Sequence, residues 1–554
     1  MKKTTSKKAA VKKAPAKKAA PKKSPVKNLI NPSSIDNLSV RMYCIGTGDC
    51  FLVKFRSGKN EVFTMMIDCG SCQGTREDFL PYVKNLADAL PAKTIDLLIV
   101  THEHNDHVNG FDKCYDIFKG ITIKEAWFAW TEDPTDPSGA AAVLKQKQQR
   151  MKMGLRNAMT ALDKKQKAFL EDDTHDAYKV PLADSHAAFL TGLNTLASIN
   201  LSDADADPLP DKAPLPGMRK IKELLTEKKA KIRYLSPGVS FDISPLPGVI
   251  FHVLGPPASR EATFKDGKIG TDVYSKNLAL SNSNLSVNAF LSIDGDITRN
   301  DLPFASVYVD DPPAEKVGIS PSRPVRSPNA NSQAETAAAP VGKGSGTVMD
   351  AYFDPLCTWR KIDDDWLNSA GALALRLNSH INNTSLALAI EFEASKKVVL
   401  FPGDAEFGSW ESWHLIEEWM KRGKDDKPWA EDLLNRTVFY KVGHHLSYNG
   451  TALEKGIMMM NDPNLAAMAT LDRHRIAKGW TTTMPNKFLL QELIRRTQGK
   501  LFIMDEFEIT APPSGKLDPS TLSKDVYATE VLVDPANKKG PQRPLYKQYT
   551  ITGL

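Results

Sequence analysis

Short apolar runs along the chain alternate with polar segments and with stretches of helical spacing. Runs rich in β-branched and aromatic residues that are bounded by Gly, Pro, Asn or Asp are typical of β-strands. They predict strands at Val40–Ile45, Cys50–Phe55, Val62–Ile67, Ile95–Val100, Ser385–Phe392, Val398–Phe401, Thr437–Val442 and Ala466–Leu471.

Apolar residues at helical spacing predict helices at Phe79–Leu90, Trp410–Lys421 and Pro485–Gln498. The last of these has Pro at its start and Gly499 just past its end, which is the usual asymmetry of helix termini. Strands that alternate with helices, with polar residues at the strand ends, predict a layered α/β architecture.

Two segments interrupt this alternation. Residues 137–235 open with a stretch rich in Ala, Lys, Gln and Met and contain an Asp- and Pro-rich loop, so we predict an inserted helical subdomain there. Residues 311–350 are dominated by Pro, Ser, Ala and Gly and predict a flexible insertion. The main domain is then expected in three parts, at residues 39–136, 236–310 and 351–554.

The N-terminal segment, residues 1–38, is predicted to be a disordered tail, because it has too few apolar residues to fold. Residues 1–27 hold eleven lysines and no acidic residue; since the whole chain has a net charge of +6, the remainder carries about −5. Such a tail favours contact with the phosphates of nucleic acid. A solubilising role, or contact with other anionic partners, is the alternative.

The composition, 41% apolar and 25% charged, is that of a soluble globular protein. No apolar run is long enough to predict a membrane span, and the basic N-terminus lacks the apolar stretch of a secretory signal. Six cysteines are too sparse for a disulfide framework and favour a reducing compartment, the cytoplasm. Cys69 and Cys72 form a C-x-x-C pair, which suggests either a redox or zinc role or two small residues in a turn.

Metal-binding residue types cluster directly after a predicted strand, at His102, His104, Asp106 and His107. Imidazole and carboxylate groups suit Zn²⁺ and related ions. In an extended stretch His102 and His104 share one side and can hold one ion, whereas Asp106 and His107, after a turn, can hold a second. Gly110 would then let the chain turn away. The alternative is a polar surface loop whose histidines have no common role.

Two further strand ends carry the same residue types. Asp404 follows an apolar strand and a Pro-Gly turn, where a carboxylate can bridge two cations or cap the next helix. His444 and His445 follow another strand. Because adjacent side chains in extended structure point opposite ways, we predict His444 as a ligand and His445 as a support or a substrate contact.

These residues resemble the H-x-H-x-D-H signature of the metallo-β-lactamase superfamily. The chain is most similar to one branch, the hydrolase domain of bacterial DNA-uptake (competence) channel proteins. Motifs of that branch occur here in the branch's order, at Gly46–Asp49, Ile67–Gly70, Asn382–Leu386, Gly403–Glu406 and Lys441–Ser447. The resemblance covers about residues 39–130 and 380–505.

The resemblance implies an αββα sandwich that holds one or two Zn²⁺ ions, with Mn²⁺ as an alternative metal. The implied ligands are His102, His104, Asp106, His107, Asp404 and His444. Asp106, Asp404 and His445 are the implied catalytic residues. Asp49 and Asp68 are expected to orient the ligands, and an anionic substrate is expected to contact Lys441, Ser447 and Asn449.

Two departures from the superfamily pattern concern the ligands. Asn382 and Asn383 stand where many members have a metal-binding His, as they also do in the DNA-uptake branch. Met484 stands where that branch often has a His before its last helix, so the second ion is expected to be weak or absent.

The function that these features predict is hydrolysis by metal-activated water, with a phosphodiester or other phosphoester as the substrate. Nucleic acid fits both the resemblance and the basic tail. The alternatives are a lactone or thioester hydrolase of the same fold, and a non-catalytic nucleic-acid-associated protein with a degenerate metal site. The inserted helices are predicted to cover the mouth of the site.

Overall fold

The computed structural model describes residues 35–72, 74–171, 189–203, 214–265, 369–420, 428–476, 484–504 and 543–554, with short strand fragments between 510 and 532. Most of the predicted tail and the whole of the predicted flexible insertion therefore lie outside the described residues.

The first sheet contains seven strands: β1 (Asn37–Tyr43), β2 (Phe51–Ser57), β3 (Asn60–Ile67), β4 (Thr94–Ile99), β5 (Thr122–Ala129), β6 (Lys231–Leu235) and β18 (Tyr546–Thr552). Their spatial order is β18-β1-β2-β3-β4-β5-β6. Pairing is antiparallel from β18 to β3 and parallel from β3 to β6.

The second sheet repeats this arrangement. Its strands are β7 (Ser240–Asp242), β8 (Val249–Gly255), β9 (Ala387–Phe392), β10 (Lys397–Phe401), β11 (Thr437–Lys441), β12 (Ala466–Ala469) and β13 (Leu501–Ile503). Their order is β13-β12-β11-β10-β9-β8-β7, antiparallel from β7 to β10 and parallel from β10 to β13. Four short strands form two separate two-stranded antiparallel sheets, β14 (Thr510–Ala511) with β15 (Gly515–Lys516), and β16 (Val531–Leu532) with β17 (Arg543–Pro544).

The helices are α1 (Arg76–Ala89), α2 (Asn105–Lys113), α3 (Tyr115–Lys119), α4 (Ala140–Glu171), α5 (residues 189–200), α6 (Pro216–Glu227), α7 (Ala370–Asn382), α8 (Phe407–Trp413), α9 (Trp429–Asn435) and α10 (Lys487–Thr497). Among the residues that the structure describes, no helix is both long enough and apolar enough to cross a bilayer.

The two sheets pack face to face and helices cover their outer faces. Phe51 of β2 meets Phe401 of β10 at a ring-centroid distance of 6.3 Å, so one core is shared by both sheets. Apolar residues of α1, α2 and α6 join that core, whereas α8, α9 and α10 pack in a second core on the other side of the second sheet. This αββα layering confirms the predicted fold class.

A third apolar cluster holds α4, α5 and α7 together, through residues that include Met151, Leu155, Leu193 and Leu373. Two elements within the predicted insertion at 137–235 pack with the first sheet: α6 lies on α2, and β6 pairs with β5. The third apolar cluster also includes α7, which the sequence alone assigns to the main domain.

The prediction of a single helix at Trp410–Lys421 is wrong. The structure has α8, which ends at Trp413, and then a separate 3₁₀ turn at Glu417–Trp419, because Ile416 adopts an extended conformation with ψ of 112°. The break lets Trp413 and Trp419 enter the core from two different segments, so tertiary packing overrides helical spacing here.

Candidate metal centre

The polar residues singled out in the sequence meet at one edge of the two sheets, where parallel strands end. The segments that contribute are Asp68 after β3, Thr101–His107 after β4, Asp404 after β10, His444–His445 after β11 and Thr470 after β12. Carboxyl ends of parallel strands point to the same edge, which brings residues hundreds of positions apart in the chain into one site.

The histidine loop has two parts. His102 and His104 lie in the extended connection after β4, whereas Asp106 and His107 lie in the first turn of α2. Gly110, expected to let the chain turn away, instead lies within α2. Its N–H donates to the carbonyl of Cys69 at 2.9 Å, and a Cβ there would collide with Cys69. Glycine is therefore required for close packing of α2 on the end of β3.

Two hydroxyl groups hold Nδ1 of His102 on the side away from the cluster. The Thr101 hydroxyl donates to Asp68 Oδ2 at 2.5 Å, and its oxygen lies 3.0 Å from His102 Nδ1. Ser385 Oγ lies 3.2 Å from the same nitrogen. The ring therefore turns Nε2 into the cluster, where it faces His104 Nδ1 at 3.0 Å.

His104 is oriented in the same way by the inserted helices. The amide nitrogen of Asn200 donates to Leu196 O at 2.8 Å, so Asn200 Oδ1 faces His104 Nε2, at 3.0 Å, and accepts a hydrogen bond from it. The His104 lone pair is then on Nδ1. His102 Nε2 and His104 Nδ1 thus face each other at 3.0 Å, an arrangement in which both nitrogens can bind one cation.

The other two imidazoles follow the same rule. His107 donates from Nδ1 to Asp68 Oδ2 at 2.8 Å. The Thr470 hydroxyl donates to Asp49 at 2.7 Å and accepts from His445 Nδ1 at 2.8 Å.

The remaining nitrogens of both rings point at acidic oxygens. His107 Nε2 and His445 Nε2 each lie 3.1 Å from Asp404 Oδ2, and His445 Nε2 is also 3.1 Å from Asp106 Oδ2. Asp106 Oδ1 is buried and has no hydrogen-bond partner among the described residues.

This donor set fits divalent metal ions. One atom from each of Asp49, His107, Asp404 and His445 lies within 4.8 Å of the others, and all four residues are buried. Imidazole nitrogens held by an acceptor on their far side, next to carboxylates, are the usual surroundings of zinc and related ions. The facing nitrogens of His102 and His104 supply a second group of donors beside the first.

The electrostatics of the site point the same way. Burial lowers the pKa of His102 well below its ordinary value and that of His104 to about 4, so both rings are neutral near pH 7 and each keeps a lone pair for a metal ion. Burial also acts on His445, but the carboxylates of Asp404 and Asp106 outweigh it and raise the His445 pKa to about 9. The carboxylates thus attract positive charge to the His445 nitrogen, the charge that a metal ion would bring.

His444 and His445 occupy the reverse of their predicted places. Neither is extended, because His444, His445 and Leu446 have φ of 45°, 50° and 63°, which places them in a tight left-handed turn. The turn buries His445 among Asp404 and Asp106, and leaves His444 half-buried at the rim, 3.0 Å from Asn449 Oδ1. The rule that adjacent side chains diverge in a strand does not apply to this geometry.

Lys441 is also placed differently from the sequence-based expectation. It is buried, and its ammonium group contacts Asp49 Oδ2 at 2.5 Å, Asp404 Oδ1 at 2.8 Å and Gly403 O at 3.0 Å. Its three N–H groups are thereby used, which leaves none for a substrate. Asp49, expected to support the ligands from outside, lies within the cluster itself.

The other predicted substrate contacts lie around His444. Ser447 is buried and donates to Asn449 Oδ1 at 2.7 Å, and Asn449 is half-buried beside it. Asn449 and His444 therefore form the accessible side of the cluster.

The positions that depart from the superfamily pattern have structural partners. Asn383 Oδ1 accepts from the N–H groups of Glu406 and Ser409, and Asn382 donates to Glu406 Oε1 at 2.9 Å. Met484 is buried in the second core. His445 lies on the Asp106 side of the site, so that side has an imidazole without a His at position 484.

Three residues of the site escaped the sequence reasoning. Asn200 and Thr470 orient His104 and His445, and neither belongs to a recognisable motif. Cys72 was noticed only as half of a C-x-x-C pair, yet its sulfur lies 3.5 Å from Asp106 Oδ2, while Cys69 is buried beside Cys50. The two cysteines thus face different surroundings and do not form a pair.

Comparison with known families agrees with this geometry. Residues 46–143 match the metallo-beta-lactamase superfamily. The matched residues include Asp49, Asp68 and the whole histidine loop, and the two seven-stranded sheets with helices outside are those of a metallo-β-lactamase fold. Searches of curated proteins and of solved structures found no match.

Proposed function

We propose that this protein is a metal-dependent hydrolase that cleaves phosphodiesters, with nucleic acid as the substrate class. The observation that carries the proposal is the common orientation of the four imidazoles. Each has one nitrogen hydrogen-bonded to a group outside the cluster, and the other nitrogen faces into the cluster. Metal ligands require such a uniform orientation, whereas a cluster that only stabilises the fold does not.

The residues divide into two ligand groups. His102 Nε2 and His104 Nδ1 would hold one ion, and Asp106, His107 and His445 would hold the other, with Asp404 between the groups. We assign the ligand role of the His pair to His445 rather than His444. The second group is the fuller one, so its ion is expected to bind more tightly.

When bound, such ions supply a water that ionises near neutral pH and a Lewis acid for the oxygen of the electrophile. The chain's own residues prepare the site for this chemistry. Lys441 and the N–H of His444 hold Asp404 Oδ1, at 2.8 and 3.0 Å, which leaves Oδ2 facing the imidazoles. His444 and Asn449 stand at the rim, where a substrate would contact them.

The substrate class rests on the motifs and on the tail. Gly46–Asp49, Asn382–Leu386 and Lys441–Ser447 resemble the DNA-uptake branch of the superfamily, and we propose a relation to that branch. The lysines of residues 1–27 would bind phosphates along a nucleic acid. A reducing compartment, the cytoplasm, fits the described cysteines, all of which are free thiols.

The test compares full-length protein before and after chelation, and after addition of Zn²⁺ or Mn²⁺, on bis(p-nitrophenyl) phosphate and on DNA. We expect metal-dependent cleavage, and we expect Asp106→Ala to reduce it to the level of the chelated protein. A His102→Ala, His104→Ala double variant should lose one equivalent of bound metal. Matched controls are Asp242→Ala and His474→Ala, which change exposed residues.

Other outcomes separate the alternatives. Turnover of a model lactone or thioester without phosphodiester cleavage would show a small-molecule ester hydrolase. DNA binding without any turnover, lost when residues 1–27 are removed, would show a non-catalytic binding protein. Wild-type protein that retains no zinc or manganese would rule out both hydrolase functions.

A further inference from the structure

The inserted helices α4 and α5 contact the histidine loop at three consecutive residues. Glu103 is buried and pairs with Lys152 of α4 at 2.6 Å and with Lys145 of α4 at 3.1 Å. Its neighbour His104 meets Asn200 at 3.0 Å. The next residue, Asn105, donates to the carbonyl groups of Ser198 and Leu201, at 2.7 and 3.0 Å.

These contacts do more than shield the site from solvent. Helices that only shielded the site would pack on its rim, whereas here Asn200 of the insertion contacts the His104 imidazole, which faces the proposed ion. Asn200 and His104 are both buried, with 0% and 1% of their surface exposed, so water does not substitute for either partner.

We infer that Asn200 is a positioning residue of the metal centre and that the helical insertion is therefore required for full metal binding. This inference rests on the proposed function. Asn200 Oδ1 holds the proton of His104 on Nε2 and so keeps the Nδ1 lone pair directed at His102. Without that acceptor, the proton of His104 can move to Nδ1, where it would block the nitrogen that is proposed to bind the metal ion.

The coupling is expected to run in both directions. If ordered inserted helices favour metal binding, a bound ion must favour the ordered helices by the same factor. Metal binding should then slow amide exchange in α5, which shares its apolar cluster with α4 and α7.

The experiment compares Asn200→Leu, Asn200→Asp and Asn194→Leu in the full-length chain. Asn200→Leu keeps the side-chain volume but removes the acceptor, and Asn200→Asp keeps an acceptor oxygen. Asn194→Leu makes the same exchange at an exposed position of the same helix. Zinc affinity is measured by competition with a chromophoric chelator, and exchange in residues 189–203 by mass spectrometry.

We expect Asn200→Leu to lower the affinity for one of the two zinc ions by about 10- to 100-fold, the usual effect of losing a residue that orients a ligand. Asn194→Leu should remain near wild type. Asn200→Asp keeps the acceptor for His104 but loses the donor to Leu196 O, so its zinc affinity should lie between those of wild type and Asn200→Leu. Zinc should slow exchange in residues 189–203 of the wild type, and less so in Asn200→Leu.

Wild-type zinc affinity in a folded Asn200→Leu variant would overturn the inference while leaving the hydrolase proposal intact. Equal weakening of the binding of both ions, or a lower affinity in Asn200→Asp than in Asn200→Leu, would show a general structural role and also overturn it. A wild-type chain that binds no zinc would instead remove the proposed function on which the inference rests.

Discussion

At the scale of single residues, the two oxygens of Asp404 have different partners. Oδ1 is held by Lys441 and by the backbone of His444, while Oδ2 faces the nitrogens of His107 and His445. A buried lysine that pairs with both Asp49 and Asp404 balances two carboxylates that would otherwise be costly to bury. Lys441 therefore supports the site from within.

Replacing Lys441 by methionine tests this arrangement. Lys441→Met leaves two buried carboxylates without their cation, so the metal-free protein should lose about 3–5 kcal/mol of unfolding free energy, measured by urea denaturation in chelator. Lys124→Met is the control, because Lys124 is exposed in its pair with Asp96 and should change stability by less than about 1 kcal/mol. Similar losses in the two variants would contradict the proposed charge balance.

Glu391 offers a pH-dependent test away from the site. Burial acts to raise its pKa, but the hydrogen bond from His252 and the charge of Arg436 prevail and lower the pKa from 4.5 to about 2. A carboxyl whose pKa is lower in the folded state stabilises the protein above the unfolded pKa, and that contribution disappears as the pH falls through the folded pKa.

We therefore expect Glu391→Gln to cost about 1–3 kcal/mol near neutral pH, from lost charge-assisted hydrogen bonds. The difference from wild type should shrink between about pH 4.5 and pH 2, in urea unfolding at a series of pH values. Glu393→Gln, two residues away and exposed, should show no such trend. A Glu391→Gln difference that is constant with pH would refute the assignment.

The sequence supplied most of the candidate ligands but not their orientation. His102, His104, Asp106, His107 and Asp404 could be proposed because metal-binding residue types at strand ends form a local pattern. The choice between His444 and His445 depended on left-handed backbone angles that histidines rarely adopt, and no residue pattern indicates them. Asn200 lies 96 residues after His104, within the insertion, so only the tertiary structure shows that the two residues are in contact.

At the scale of elements, helices α2 and α6 make an unusually close approach. Gly217, near the start of α6, lies against the carbonyl of Val108 in α2, and a Cβ at this position would overlap that oxygen. Because α2 also carries Asp106 and His107, the distance between the two helices helps to set the position of the site.

Gly217→Ala should force α6 away from α2. We expect it to destabilise the fold by about 1–3 kcal/mol, the usual cost of overpacking, and to weaken metal binding. Gly192→Ala in α5 is the matched control, since a Cβ there meets no atom within 4 Å; it should be neutral, or stabilising by about 0.5–1 kcal/mol through helix propensity. Equal thermal stability of the two variants would contradict the close approach.

Strands were predicted better than helices. Their apolar runs are buried on both faces, as in β4, where Ile95, Leu97, Leu98 and Ile99 are at most 1% exposed, and burial of that kind leaves a direct mark on the sequence. The helix expected at Trp410–Lys421 failed because its tryptophans fit the helical period and yet pack from two separate segments.

At the scale of the whole molecule, the αββα arrangement was predictable because strands and helices alternate and the histidine motif resembles a known superfamily. The extent of the insertion was not, because α6 follows α4 and α5 along the chain as one more helix and only packing shows that α6 lies against α2. The membership of α7 in the helical cluster is likewise a tertiary fact.

The pairing of β1 with β18 has a consequence for synthesis of the protein. Asn37 lies opposite Thr552 and Tyr43 opposite Tyr546, so β1 is synthesised long before the strand with which it pairs. During translation β1 therefore keeps one unpaired edge until β18 is made, and unpaired edges invite association with other chains. A chaperone that shields this edge during synthesis is expected to raise the yield of folded protein.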